Sequence, residues 1–435
     1  MSHHEYRDPR LKFCWQGIQV GVLLLPLLPT FGCIIILIGI FITWRHRFKF
    51  IIKDPINQGL GILSVLLIIT TIGAEDPLNA LLGLGNFIPY FIVFAAFSEL
   101  IQTPHQLRKL AWLIVIPAIP IIILGLGQQF LGWSGGEQLQ GLLGWTLPLN
   151  GNPPGRMCSV FMYANILAAY LLLVFTLSMG LLIEQFKIIS KNRNSENIKP
   201  FIFICFIVIL TGIALIVTYS RNAWGLVIFI ILAYAIYLGW RGLVGLILSG
   251  ILAILGAAFA PVPISNSLRL IVPAYFWQRL TDQNFERPIE TLRVTQWKFA
   301  WNLTQQRPWT GWGLRSFTPL YEDQMNVWMG HPHNLLLMLT AEIGIPITLL
   351  FLGIIGFILA KFTRTLMIND MKQSDRLILL SYGLGFVVYI LFNLADVTLF
   401  DFRVNTFGWL ILAAIWGNSR YFTSMFLLHP AETDG

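Results

Sequence analysis

Apolar runs of about twenty residues recur along this chain, and each is long enough to cross a bilayer as a helix. They lie near 55–74, 79–100, 108–130, 157–183, 200–219, 222–240, 242–261, 344–362, 376–395 and 404–423. A further run, about 12–45, is too long for one untilted helix, and Pro26 and Pro29 interrupt it where a turn is expected. Splitting it there gives about twelve transmembrane helices. The expected fold is all-α: a polytopic membrane helix bundle, read as a single integral membrane domain over 1–435. Composition agrees, since 56% of the 435 residues are hydrophobic and only 11% charged, too few charges to cover a soluble surface.

A formal net charge of +8 would suggest nucleic acid as a partner in a soluble protein. Here its distribution explains it without one. Alternate connections carry Arg45, Arg47, Lys49 and Lys53; Arg108 and Lys109; Lys187, Lys191, Arg193 and Lys199; Arg241; and Lys361, Arg364, Lys372 and Arg376. Basic connections face the cytoplasm, which places both termini there and membrane lipid beside these loops. Arg7, Arg10 and Lys12 precede the first run without a clear small-residue cleavage site, so a retained first span is expected. Cys14, Cys33, Cys158 and Cys205 show no CxxC spacing and read as packing residues.

The opposite side has a different cation chemistry. It collects Arg156, Arg221, Arg269, Arg279, Arg287, Arg293, Arg307, Arg315 and Arg403, with Lys298 as its only lysine. Arginine presents a planar fork that matches a phosphate in two hydrogen bonds at once. This outer face is therefore expected to grip an anionic, phosphorylated ligand. Two long outer connections carry much of the set. One, 131–156, is rich in glycine and proline and reads as irregular. The other, the large extracytoplasmic loop 262–343, is expected to contain short helices. Segment 289–305 has helical spacing with Arg293, Trp297 and Trp301 on one face, suiting the membrane interface. Segment 333–343 begins at His333-Asn334 and runs into Gly344-Ile345-Pro346, which should end or kink it.

Individual residues carry different weights. Arg221 sits in Tyr219-Ser220-Arg221-Asn222, a turn too short to leave the membrane boundary; the plain alternative is an arginine snorkelling to headgroups. Arg293 precedes Trp297 by one helical turn, so the indole could stack on the guanidinium, or the two could be a surface pair. Arg315 follows the turn Gly311-Trp312-Gly313, whose backbone amides could approach an anion. Arg156 stands just before the span containing Asn165. In His331-Pro332-His333-Asn334, an imidazole titrating near about 6.5 could take a proton from a hydroxyl; the alternative is a histidine capping the helix that starts there. No neighbouring Asp/Glu/His cluster completes a metal site around the two histidines, so no metal is expected. Glu342 could charge-balance this face or cap the turn at Gly344.

These elements, in this order, resemble the bacterial O-antigen ligase and polymerase superfamily. The likeness is spread over about 155–360. It runs from Gly155-Arg156 and Tyr163-Ala164-Asn165, through Ser220-Arg221-Asn222-Ala223-Trp224, to Arg293, Trp297 and Ala300. It continues with Arg307-Pro308-Trp309-Thr310-Gly311-Trp312-Gly313 and with His333-Asn334-Leu335-Leu336 through Glu342-Ile343-Gly344-Ile345-Pro346. Pro346 departs mildly from the small residue usual at its position. The resemblance implies a bacterial cytoplasmic (inner) membrane protein of lipopolysaccharide or other envelope polysaccharide biosynthesis. It implies an inverting glycosyltransferase, independent of metal and cofactor, that acts at the extracytoplasmic face. The donor would be a glycan on undecaprenyl pyrophosphate, and the acceptor a hydroxyl of a glycolipid, a protein or another lipid-linked glycan. Arg221 and Arg293 would hold the pyrophosphate, with Arg315 and Arg156 adding charge. His333 would activate the acceptor, supported by Asn334, Glu342, Asn165 and Trp297. Two rivals remain at this level: an anion (bicarbonate) transporter, as some relatives have been labelled, and a non-catalytic membrane scaffold.

Overall fold

The structure, a computed structural model, describes residues 9–281 and 288–428. Arg7 and Arg287, and the side chains of Arg10 and Arg279, lie outside what is described. The first apolar run divides at its prolines, giving α1 (Pro9–Leu24) and α2 (Pro29–Ile51). These two pack closely because glycines line the contact: a Cβ on Gly32 would stand 2.7 Å from the backbone of Leu25. Next come α3 (Pro55–Ile72), α4 (Pro77–Gly83) and α5 (Ile88–Leu100), the last two forming one passage broken by a single 3₁₀ turn. A second broken passage is α6 (Pro104–Val115) with α7 (Ala118–Phe130). The connection that follows holds a 3₁₀ turn (Glu137–Leu139), the four-residue α8 (Gln140–Leu143) and isolated bridges at Gly135–Leu147 and Gly151–Arg156, irregular as its composition suggested.

The bundle continues with α9 (Ala164–Lys191), α10 (Ser195–Val217), α11 (Arg221–Leu238) and α12 (Arg241–Phe259). The large connection then carries α13 (Val262–Arg269), α14 (Ala274–Thr281), α15 (Arg293–Gln306) and α16 (Phe317–Met325). Three long helices close the chain: α17 (Leu335–Leu366), α18 (Gln373–Asn393) and α19 (Phe402–Leu428). Among the described residues, ten helical passages are long and apolar enough to span a membrane, and the protein is a polytopic helical membrane bundle. The remaining two of the expected twelve differ for separate reasons. The apolar part of α1 is short, Leu11–Leu24. In α19 every residue from Arg403 to Ser419 is buried among other helices, so polar groups can be satisfied internally and apolar character is not required of it. Asn405, for example, donates to the carbonyls of Asn86 and Leu399, both at 3.2 Å.

Two boundaries moved. The span placed at 157–183 begins as a helix only at Ala164, because Ser159 and Met162 take left-handed backbone and the chain before it forms the 3₁₀ turn Ser159–Phe161. The helix expected at 333–343 and the span at 344–362 are the two limbs of α17, kinked at Gly344 (φ 78°, ψ 165°).

That kink is filled by another piece of backbone. Pro346 has no N–H to pair with the Glu342 carbonyl, which instead accepts from Gly313 N–H at 2.8 Å. Trp312 N–H donates to the Ala341 carbonyl (2.9 Å), and Ile345 N–H turns outward to the Pro308 carbonyl (2.8 Å). The 308–313 segment thus satisfies groups that the break would leave orphaned inside a buried region. Room for this exists only because two residues lack a Cβ. A Cβ on Gly344 would meet the Trp309 carbonyl oxygen at 2.5 Å, and one on Gly311 the Glu342 backbone at 2.4 Å. Above the kink, α15, α16 and the first limb of α17 enclose a small core of Phe299, Ala300, Leu303, Phe317, Tyr321 and Ala341.

Gly344→Ala is expected to destabilise the protein by at least about 2 kcal/mol, since left-handed strain alone costs about 1–3 kcal/mol. Gly353→Ala on the same helix, where a Cβ meets nothing within 4 Å, should be neutral or slightly stabilising. Thermal unfolding of the two variants in detergent checks the contrast.

Candidate active site

The connection between α18 and α19 carries a carboxylate, Asp396, that is only 1% exposed. Its Oδ1 accepts the N–H of Val397 at 2.8 Å and lies 3.1 Å from His333 Nδ1. Its Oδ2 accepts from Asn165 Nδ2 in the first turn of α9. Asn165 Oδ1 in turn accepts from Arg156 at 2.6 Å, while Arg156 Nε donates to the Thr218 carbonyl at 2.9 Å. At the neighbouring turn, Asn222 donates to the Phe392 carbonyl at 3.0 Å and joins the start of α11 to the end of α18. Groups far apart in sequence therefore meet at one end of the bundle, at helix starts and in the connections between helices. Helices supply fixed positions there without burying charge at mid-membrane depth.

The histidines are held by unusual backbone. His333 has φ 51°, a left-handed conformation rare for a non-glycine residue. Its N–H donates to His331 Nδ1 at 3.2 Å. For Nδ1 to accept, the His331 proton must sit on Nε2, which lies 3.7 Å from Asp396 Oδ1. With Asp396 facing its Nδ1, His333 donates there and keeps a lone pair on Nε2, the tautomer a base requires. Burial pushes His331 down to about 4 against the attraction of Asp396, so it is neutral near pH 7. Burial would raise Asp396, but the hydrogen bond and charge of His333 hold it below its ordinary range. The capping role belongs to Asn334, whose Oδ1 accepts the Leu337 N–H at 3.0 Å.

Arg221, the first residue of α11, and Arg293, the first of α15, are exposed beside this cluster. Burial draws Arg156 below its usual value, and the charges of Arg293 and Arg221 act in the same direction. Arg293 also acts on His331 and on Tyr163, whose hydroxyl burial pushes up. Trp297 follows one turn along α15, half-buried. The structure thus brings together His333, Arg156, Arg221, Arg293, Asn165 and Asn334.

Several expectations change. Arg315 and Glu342 do not join this group. Glu342, buried two turns into α17, takes the N–H groups of Arg315 and Phe317 (3.4 Å for the latter), and Arg315 is its charged neighbour. The anion approached by that glycine-rich turn is the protein's own carboxylate, and the Trp312 and Gly313 amides face α17 carbonyls. Among the other arginines expected at that face, Arg307 lies 3.9 Å over Trp312, Arg269 lies 4.3 Å over Trp277, and Arg403 is buried on Asp401 and Phe161. They hold loops and helices in place. Nor are the two histidines without a carboxylate: ligand atoms of His331, His333 and Asp396 lie within 4.8 Å of one another, a set that could hold a metal ion. The guanidinium charges of Arg156, Arg221 and Arg293 oppose a cation and favour an anion there. Asp396 escaped the sequence reading, and Tyr163 entered it only as part of the Tyr163-Ala164-Asn165 element. Asp396 falls one residue beyond an apolar run, and that lone carboxylate at a span end was the available signal.

The protein is thus a kinked polytopic membrane bundle that gathers an Asp–His pair and arginines at one end. A family model described as O-antigen ligase matches residues 206–352, a part of the chain to which it is similar. The match reaches from α10 to the second limb of α17, and includes Arg221, Arg293 and His333. No curated protein matches the chain.

The depressed His331 and Asp396 values fix a sign. Unfolded, His331 binds a proton below about 6.5, whereas in the fold it does so only near 4. Stability associated with it is complete above pH 6.5 and is lost as pH falls toward 4. Asp396 adds a loss in the same direction, below its ordinary carboxylate range. Melting temperature recorded across pH 4–7 should fall on acidification, and His331→Asn should flatten the part between about 6.5 and 4.

Proposed function

We propose that the protein transfers a glycan from an undecaprenyl-pyrophosphate-linked donor to an acceptor hydroxyl at the extracytoplasmic face of the bacterial cytoplasmic membrane. The observation that carries this is the placement of the His333–Asp396 pair beside Arg156, Arg221 and Arg293 at one end of the bundle. The outward-facing assignment rests on the basic loops of the opposite end.

In this reading His333 Nε2 accepts the proton of the acceptor hydroxyl as its oxygen attacks the anomeric carbon. The bond from that carbon to the pyrophosphate oxygen breaks, and the electron pair leaves with the pyrophosphate. Attack opposite the leaving group inverts the anomeric centre. Arg221 and Arg293, exposed and at helix starts, meet the charge that grows on the departing pyrophosphate, and stabilise it more than the ground state. Arg156 adds positive potential from behind while orienting Asn165. Asp396 holds the His333 tautomer and balances the imidazolium that forms. The reaction draws its electrostatic stabilisation from arginines and uses no metal in any step. Arg315 and Glu342 leave the substrate set and brace the segment that follows α15, the helix whose first residue is Arg293. A transporter would gather its binding groups near the bilayer midplane on broken helices, whereas these stand at helix ends. The acceptor is a glycolipid, a protein or another lipid-linked glycan, the last making the enzyme a polymerase.

Glycan transfer by purified protein from a lipid-linked donor is the test. His333→Ala should lower the rate by about 10²–10⁴-fold, the usual contribution of a positioned base. Arg221→Lys and Arg293→Lys should each cause a large loss, because lysine lacks the planar fork; a scaffold would tolerate both. Unchanged transfer in a normally folded His333→Ala protein overturns the assignment.

A further inference from the structure

At the end of the bundle opposite the Asp396 cluster, the start of α6, the last turns of α9 and the start of α18 enclose a cleft of about 560 Å³. Arg108 stands at its centre and is taken up by two carboxylates, Glu184 at 2.7 Å and Asp375 at 2.9 Å. This ion-pair triad joins the three helices and leaves a single net negative charge, which the lysines of the lining outnumber. Lys187, Lys191 and Lys372 also line the cleft, and among the described residues none has a carboxylate partner. The lining therefore carries an excess of positive charge within a concave space large enough for a small ligand. Ile188, 38% exposed, and buried Leu377 supply an apolar wall beside the lysines. A cationic rim above an apolar wall at a helix-bundle end matches a molecule with an anionic phosphate and a hydrocarbon continuation.

We infer that this cleft binds the phosphate of an anionic phospholipid headgroup from the adjacent leaflet. Basic pockets between transmembrane helices are a known means of holding such headgroups. A free phosphate would meet the same lysines but would leave the apolar wall unused, so the lipid is the source the lining favours. Occupation would fix α6, α9 and α18 to one another at this end. Since α9 carries Asn165 and α18 leads to Asp396, the same helices that meet the headgroup position the opposite site. The inference stands independently of the glycan-transfer reading.

The test uses purified full-length protein, delipidated in detergent and titrated with short-chain phosphatidylglycerol, phosphatidylcholine of the same chain length, and inorganic phosphate. Bound lipid is read by native mass spectrometry and binding by the shift in unfolding temperature. Phosphatidylglycerol should bind at least about tenfold more tightly than phosphatidylcholine, and the combined Lys187→Gln, Lys191→Gln and Lys372→Gln protein should lose about a hundredfold in that affinity. Removing as many charges outside the cleft, at Lys49, Lys53 and Lys109, should change it by no more than about threefold. Equal affinity for the two lipids, or equal losses in the two triple variants, would overturn the cleft. Inorganic phosphate binding as tightly as phosphatidylglycerol would overturn the lipid assignment.

Discussion

One buried carboxylate organises the end of the molecule where the chemistry is expected. Asp396 is almost wholly withdrawn from solvent, and an ionised group in that position must be matched by donors or it destabilises the fold. The Val397 amide, the Asn165 side chain and the His333 ring supply them. Each comes from a different part of the chain, so satisfying one charge joins the α18–α19 connection, the start of α9 and the approach to α17. The left-handed backbone at His333, further held by His331, is tolerable because these contacts over-determine it.

A second constraint acts along α17. A glycine and a proline two residues apart open the helix, and the 308–313 backbone enters the opening and pairs with the exposed groups. The same contact fixes where α15 ends and α16 begins, because Glu342 just before the kink takes the amides at the start of α16. Motifs that in sequence suggest substrate contact, the glycine-rich turn and the acidic residue before the kink, serve the backbone here. Their effect on function passes through the position of Arg293 on α15.

The arginines expected at the face opposite the basic loops illustrate how far chemistry can be read from residue type. Planarity and multiple donors suit a guanidinium to phosphate, but equally to a carbonyl, a carboxylate or an aromatic face. Arg269, Arg307 and Arg403 use those features inside the protein. Arg221 and Arg293 stand exposed at helix starts beside the histidines. The bias against lysine at this face was legible in sequence. Which arginines are structural depended on partners brought close only by folding.

Hydrophobic run length determined the number and position of most passages, because a bilayer demands about twenty apolar residues whatever the neighbours. The split at Pro26 and Pro29 and the kink at Gly344-Ile345-Pro346 were equally readable, since proline and glycine act locally. The character of α19 was not, because a helix enclosed by others on every side is released from the lipid's demand for apolar side chains. Asp396 escaped for a related reason: a carboxylate becomes a partner for an imidazole only when two helix ends share one surface. Local covalent chemistry thus set the helices and their breaks, while the convergence of Asp396, His333 and the arginines was decided by packing, which alone brings residues distant in the chain within hydrogen-bond reach.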